Sequence, residues 1–337
     1  MHRNLVTAGD GATAADNAWR TATLVDDLLR GRLDLGRLLA APPGPACSPS
    51  PDNSPNLPAQ IGALLCRFNA ALRAGLAGRN GDGAPLGEQE LIAAEAGELA
   101  LDTLATGSLD WLTGRLAAAG AAHHQEMLLA HFWCGRALTR NLARLQDLGD
   151  ALDLAPERMS ALQQEAARLR QAGASGRLRQ LEVIQALILP ALARRETPGF
   201  AWPRPLRPPI LPGLLERHLR YAERASRQLA RDLARLRRAY RQGLEHKQRL
   251  LGRLTVMAAE LYAMSAVLLY AASRQGPSGC EPLADLFCRQ ARRRVATWRR
   301  ALYHNDDQFA YDRALDVLAG HYPWLEPFSS RRQVTSR

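Results

Sequence analysis

Apolar residues recur every three or four positions along most of this chain, so the pattern predicts helices. Ile61, Leu65, Phe68, Leu72 and Leu76 form one stripe, and Leu229, Leu233, Leu236, Tyr240 and Leu244 form another with the same spacing. The periodicity predicts helices over Ala59–Leu76, Gly87–Leu116 with a break near Gly107, and His123–Leu148. Further helices are expected from Met159 to Gln171, bounded by Gly173 and Gly176, and over Arg177–Arg195. A later set covers Leu214–Gly243, His246–Ser273, Glu281–Tyr303 and a short Gln308–Ala319 closed by Gly320. Residues 1–41 carry a broken amphipathic pattern (Trp19, Leu24, Leu28, Leu33, Leu35, Leu38) that reads as one helix. Asn80-Gly81-Asp82-Gly83 supplies turn chemistry between two of the helices.

The second half of the pattern repeats the first. Ala258-Ala259-Glu260-Leu261-Tyr262-Ala263-Met264 opens a long apolar stretch to Ser273, and Ala284-Asp285-Leu286-Phe287-Cys288-Arg289-Gln290-Ala291 follows. Earlier, Ala100-Leu101-Asp102-Thr103-Leu104-Ala105 opens a similar stretch, followed by Ala130-His131-Phe132-Trp133-Cys134-Gly135-Arg136-Ala137. Both copies share A-x-x-(W/F)-C-x-x-A, and Trp and Cys are scarce enough to make the coincidence informative. The expected architecture is all-α: two related antiparallel helical bundles with a helical and proline-rich connector.

The divisions follow from composition. Residues 1–41 form an N-terminal helical segment and 42–58 a Pro/Ser-rich linker. The first bundle, a degenerate copy, occupies 59–150, and a connector 151–213 ends in six prolines with Trp202. The second bundle spans 214–325 and the tail 326–337. Of the 337 residues 47% are hydrophobic but only 6% aromatic, and Ala and Leu dominate, which favours helix over sheet.

Charge separates the two copies. Residues 59–150 hold 7 Arg against 10 Asp and Glu, a net of −3, while 214–325 hold 20 Arg and Lys against 11 Asp and Glu, a net of +9. Arg220, Arg224, Arg227, Arg231, Arg235 and Arg238 recur as one stripe, and Arg292, Arg293 and Arg294 add a cluster. Such a surface suits an anionic membrane or a protein partner. Nucleic acid fits the charge, but no aromatic residues are interleaved for base stacking.

The chemistry-bearing residues point mostly to structure. Five cysteines show no metal spacing, and His123 and His124 are adjacent and so face apart, which with Glu126 and His131 leaves no metal set; no metal is expected. Glu260 lies in an apolar helix and needs a partner, for which Arg292 or Arg293 is the natural candidate. The odd cysteine count, the lack of an apolar leader and the charge interrupting the longest apolar run lead to an expectation of a cytoplasmic protein, with peripheral contact at the inner membrane face as a further option.

The run Glu260-Leu261-Tyr262-Ala263-Met264-x-x-Val267-Leu268, then Ala272-Ser273-Arg274 and Cys288, resembles the extra C-terminal helical domain of very-long-chain-type acyl-CoA dehydrogenases. The family carries Asp where Glu260 stands and Trp where Phe287 stands; the first copy keeps Trp133-Cys134-x-x-Ala137 and loses the Tyr-Ala-Met part. The resemblance covers 214–320 and, more weakly, 59–148. No alternating strand pattern for the family's β-barrel and no flavin-binding motif is found, so no catalytic or cofactor-binding residue is carried over. The resemblance therefore implies a non-catalytic accessory or scaffold protein working with a protein partner or as a homodimer. A dehydrogenase component acting with a flavin-bearing subunit is the alternative, the one case in which FAD is expected. A basic helical nucleic-acid-binding protein is a second alternative.

Overall fold

The computed structural model describes residues 18–40, 56–78, 86–149, 155–172, 176–194, 211, 213–274 and 279–325. The expected linker 42–58 except its last residues, the Asn80–Gly83 turn, most of the proline-rich segment with Trp202, and the tail 326–337 lie outside these residues.

Every regular element among the described residues is helical. In chain order they are α1 (Leu24–Leu29), α2 (Leu35–Leu39), α3 (Leu57–Leu76), α4 (Glu90–Ala118), α5 (His124–Gly149) and α6 (Pro156–Ala172). Then come α7 (Gly176–Val183), α8 (Leu189–Ala193), α9 (Gly213–Tyr240), α10 (Gln248–Ser273), α11 (Glu281–Tyr303) and α12 (Asp307–Leu318). A π turn at Ile184–Ile188 joins α7 to α8. It lies just before Pro190, which has no N–H to donate and would crowd the carbonyl four residues back.

Three sequence expectations change. Among the described residues the N-terminal segment is broken into short helical pieces, with α1 and α2 separated where Gly31 turns the chain with φ +70°. There the Arg32 N–H bonds to the Asp27 carbonyl, the closure of a glycine-ended helix. A Cβ on Gly31 would sit 2.9 Å from Arg227 Cα, so α9 packs directly on this turn. The helix expected to break near Gly107 runs unbroken as α4. Gly176, expected to end a helix, opens α7.

The core is continuous across the two sequence copies. One apolar cluster joins Leu64, Phe68, Leu109 and Trp133 from the first copy to Leu229, Leu254, Tyr262 and Phe287 from the second. Helix α10 runs through its centre, packed on α4 and α5 of one copy and on α9 and α11 of the other. That position explains its composition. It is long and apolar enough to cross a membrane, yet 94% of its apolar window is buried inside the protein. A helix covered on all sides needs no polar face, and each fully buried Leu or Val contributes about 2 kcal/mol.

The candidate site: paired aromatic and acid–arginine clusters

The repeated motifs meet in space. Trp133 on α5 and Phe287 on α11 stack edge to face, with ring centroids 5.9 Å apart at 69°. Each ring carries a guanidinium seven residues further along its helix: Arg140 lies 5.5 Å from the Trp133 ring and Arg294 5.5 Å from the Phe287 ring. Two helical turns place residue i+7 above residue i, so the spacing alone brings cation and ring together.

Each arginine is then held by a buried carboxylate from the central helix of its own copy. Asp102 on α4 takes Arg140 Nη2 at 3.0 Å and Glu260 on α10 takes Arg294 Nη2 at 3.0 Å. Asp102 also accepts from Asn141 at 2.8 Å and from Arg144 at 3.2 Å, and Arg144 reaches Glu95 and Glu98. Among the described residues Glu260 makes one ion pair, that with Arg294. The expected partners Arg292 and Arg293 are displaced by Arg294 because α11 buries Ala284, Phe287, Cys288, Ala291 and Val295. Residue 294 borders that stripe, whereas 292 and 293 are exposed.

Around these pairs the reactive side chains are held neutral. Burial pushes the Cys134 and Cys288 thiols far above their usual range, and the fully buried Tyr262 hydroxyl likewise. Met264 is buried in the same core. A thiol kept protonated is a poor nucleophile, so these motif cysteines pack as small apolar groups.

The histidine and glutamate set is dispersed. Glu126 is buried and accepts from the Val25 N–H at 3.1 Å, in the first turn of α1. His123 Nδ1 lies 2.8 Å from the Ala121 carbonyl, and burial lowers the His131 pKa. Among the described residues no group of three or more His, Cys, Asp or Glu could hold a metal ion.

The arginine stripe splits by helix phase. Arg224, Arg231, Arg235 and Arg238 are exposed, whereas Arg220 pairs with Glu216 at 2.9 Å and half-buried Arg227 lies against Gly31. Arg292 stacks 4.6 Å from the Tyr221 ring, and Arg293 is exposed. One network escaped the sequence reading. Buried Asp232 on α9 accepts from Arg299 Nε at 2.9 Å, Tyr303 OH at 2.8 Å and Gln228 at 2.9 Å. Its only sequence signal is a carboxylate on the apolar side of a helix otherwise rich in arginine.

Two grooves are described. One of about 530 Å³ lies where α9, α11 and α12 converge and opens to solvent; the other, about 30 Å³ beside His131 and Phe132, has room for a water at most.

No family model matches the chain. Over 119 residues it is 40% identical to the probable acyl-CoA dehydrogenases FadE10 of Mycobacterium bovis and Mycobacterium tuberculosis, a match covering 34% of this chain and 18% of each relative. The chain thus spans less than a fifth of the length of these relatives. Among solved structures, an acyl-CoA dehydrogenase complexed with FAD from Bacillus anthracis matches with a TM-score of 0.54 at 14% identity, over 77% of this chain and 50% of that one. At that identity the likeness shows the fold. The chain is homologous to acyl-CoA dehydrogenases over the 119-residue segment, and its all-helical fold is consistent with their C-terminal helical domain.

Proposed function

We propose that this chain is an acyl-CoA dehydrogenase-like accessory or scaffold protein without an active site of its own, offering a basic surface to a partner or an anionic membrane. The observation that supports it most is how its ionisable residues are used. Asp102, Glu260 and Asp232 are consumed in ion pairs inside the fold, and the thiols and Tyr262 are neutral, while Arg224, Arg231, Arg235 and Arg238 stay exposed. The reading places the protein in the cytoplasm, with any membrane contact peripheral; among the described residues the one span-length helix is a core helix. Nucleic acid ranks below both, as the exposed arginines are not interleaved with stacking aromatics.

The second reading is a dehydrogenase component that works with a flavin-bearing subunit. The solved FAD complex favours it, because this chain matches half of that protein. The absence of an active site of its own is tested by an absorbance spectrum of the purified protein, alone and after incubation with excess FAD and desalting. The accessory reading expects a flat visible spectrum in both samples; a retained flavin band would overturn it.

A further inference from the structure

The seam between α5 and α11 gathers more positive charge than the fold neutralises. Both helices pack on α10, which places Glu260 beneath the seam, and they meet each other through long side chains. Arg136 and Arg140 lie one turn apart on α5, and Arg294 and Trp298 one turn apart on α11, so each pair shares a helix face. The contact of Trp133 with Phe287 brings those faces together. Arg140 and Arg294 each stack on one ring of that pair, and Arg136 reaches across to lie 6.0 Å from the Trp298 ring. Helix α7, which packs on α5, carries Arg177 in its first turn.

The carboxylates of this region are already taken. Asp102 holds Arg140 and Glu260 holds Arg294, and beyond them Glu95 and Glu98 hold Arg144. Among the described residues neither Arg136 nor Arg177 has an ion-pair or hydrogen-bond partner. Arg177 is exposed, whereas Arg136 is partly buried, its guanidinium 5.7 Å from the Phe132 ring on one side and 6.0 Å from Trp298 on another. Stacking of this kind uses the flat faces of a guanidinium and leaves the N–H donors along its edge for other partners. Burial and the nearby Arg140, Arg177 and Arg294 lower the Arg136 pKa, with Glu260 acting the other way. A partly buried cation among other cations is unfavourable, and an anion entering the seam relieves the repulsion and meets the donors together.

We infer that the α5/α11 seam binds the phosphate group of a small soluble phosphomonoester, held by Arg136 and Arg177 with Arg140 and Arg294 behind them. Phosphate suits the set because its three terminal oxygens accept from guanidiniums presented by different helices, whereas a carboxylate offers two oxygens in one plane. The Asp102–Arg140 and Glu260–Arg294 pairs hold the back of the site in place before the ligand arrives. A membrane surface fits less well, since Arg136 is recessed between two rings while Arg224 and Arg231 on α9 stand exposed. The inference does not rest on the accessory reading, since phosphate binding and flavin retention are read independently.

The test is calorimetric titration of the full chain with inorganic phosphate and with glycerol phosphate, at ionic strength held constant with chloride. Saturable binding with a Kd on the order of 1 mM or tighter is expected. Arg136→Met with Arg177→Gln should raise that Kd at least tenfold. Neither residue is paired within the fold, so the melting temperature without phosphate should stay unchanged. Arg136→Lys, which keeps the charge and loses the fork, should weaken binding less than Arg136→Met. Arg224→Gln with Arg231→Gln, on the exposed stripe, should leave binding as it is. No saturable binding at concentrations on the order of 10 mM would overturn the inference. So would equal loss in the Arg224 and Arg231 variant, which marks a diffuse basic surface, or indifference to the Arg136 and Arg177 variant. Binding of phosphatidic acid vesicles through Arg136, with no binding of either soluble phosphate, would overturn it as well.

Discussion

Glu260 and Arg294 illustrate how a buried charge is tolerated in this protein. The Glu260 side chain is 2% exposed and Arg294 26%, so removing the arginine leaves a carboxylate inside an apolar helix packing. Arg294→Met is expected to cost about 3 kcal/mol in urea unfolding. The double variant Glu260→Leu with Arg294→Met should recover most of that loss, because the pair has its own desolvation cost. If the double variant is no more stable than the single, the ion pair is not what holds this position. Glu126 offers a pH test. Burial raises its pKa above the usual 4.5, despite the Val25 N–H bond that acts the other way. The folded state therefore holds this proton more tightly than the unfolded state. Its contribution is fully present below pH 4.5 and is lost as pH rises through the raised folded value. Glu126→Gln keeps an acceptor for Val25 and should flatten the fall in melting temperature above pH 4.5. An unchanged pH profile would count against the assignment.

At the scale of an element, α4 shows why a local signal fails. Gly107 reads as a break, since glycine costs about 1 kcal/mol in a helix interior relative to alanine. The helix continues because it buries Leu101, Ala105, Leu109 and Leu112, which outweighs one glycine. Its hydroxyls also bond within the helix: Thr106 to the Asp102 carbonyl at 2.8 Å and Thr113 to that of Leu109 at 2.9 Å. A Cβ at Gly107 would meet nothing within 4 Å, so Gly107→Ala should raise stability by about 1 kcal/mol. Gly252 on α10 is the contrast. There a Cβ would come within 2.7 Å of Gln180 Nε2, the end of a flexible side chain that bonds to the Gly252 carbonyl, so Gly252→Ala should gain less stability than Gly107→Ala because that hydrogen bond is displaced. Helix ends were easier to read than helix continuity. Glu281–Tyr303 was legible to the residue, and the cap at Gly320 has the φ of +72° that its position after the last apolar residue implied.

At the scale of the whole molecule, α10 decides how the chain folds. Its buried residues face helices of both sequence copies. The 337-residue chain is therefore expected to unfold in one cooperative transition. Residues 214–325 expressed alone should lack a cooperative transition and expose apolar surface to a hydrophobic dye. Independent melting of that fragment would show that the two copies are separate folding units. The basic face was legible as an arginine repeat, but its membership was not, because period alone cannot tell an exposed Arg224 from a half-buried Arg227.

By itself the sequence determined the helical fold, the limits of a helix such as Glu281–Tyr303, the repeated motif and the kinship with acyl-CoA dehydrogenases. Those depend on 3.6-residue periodicity and on scarce residues at fixed spacing, both local properties. The tertiary structure alone decided that Trp133 meets Phe287, that Glu260 takes Arg294, that Glu126 serves the first turn of α1 rather than a histidine set, and that α12 is left bare. Each is a contact between elements far apart in the chain, and the rotation of one helix against another fixes it. A linear pattern does not record that rotation.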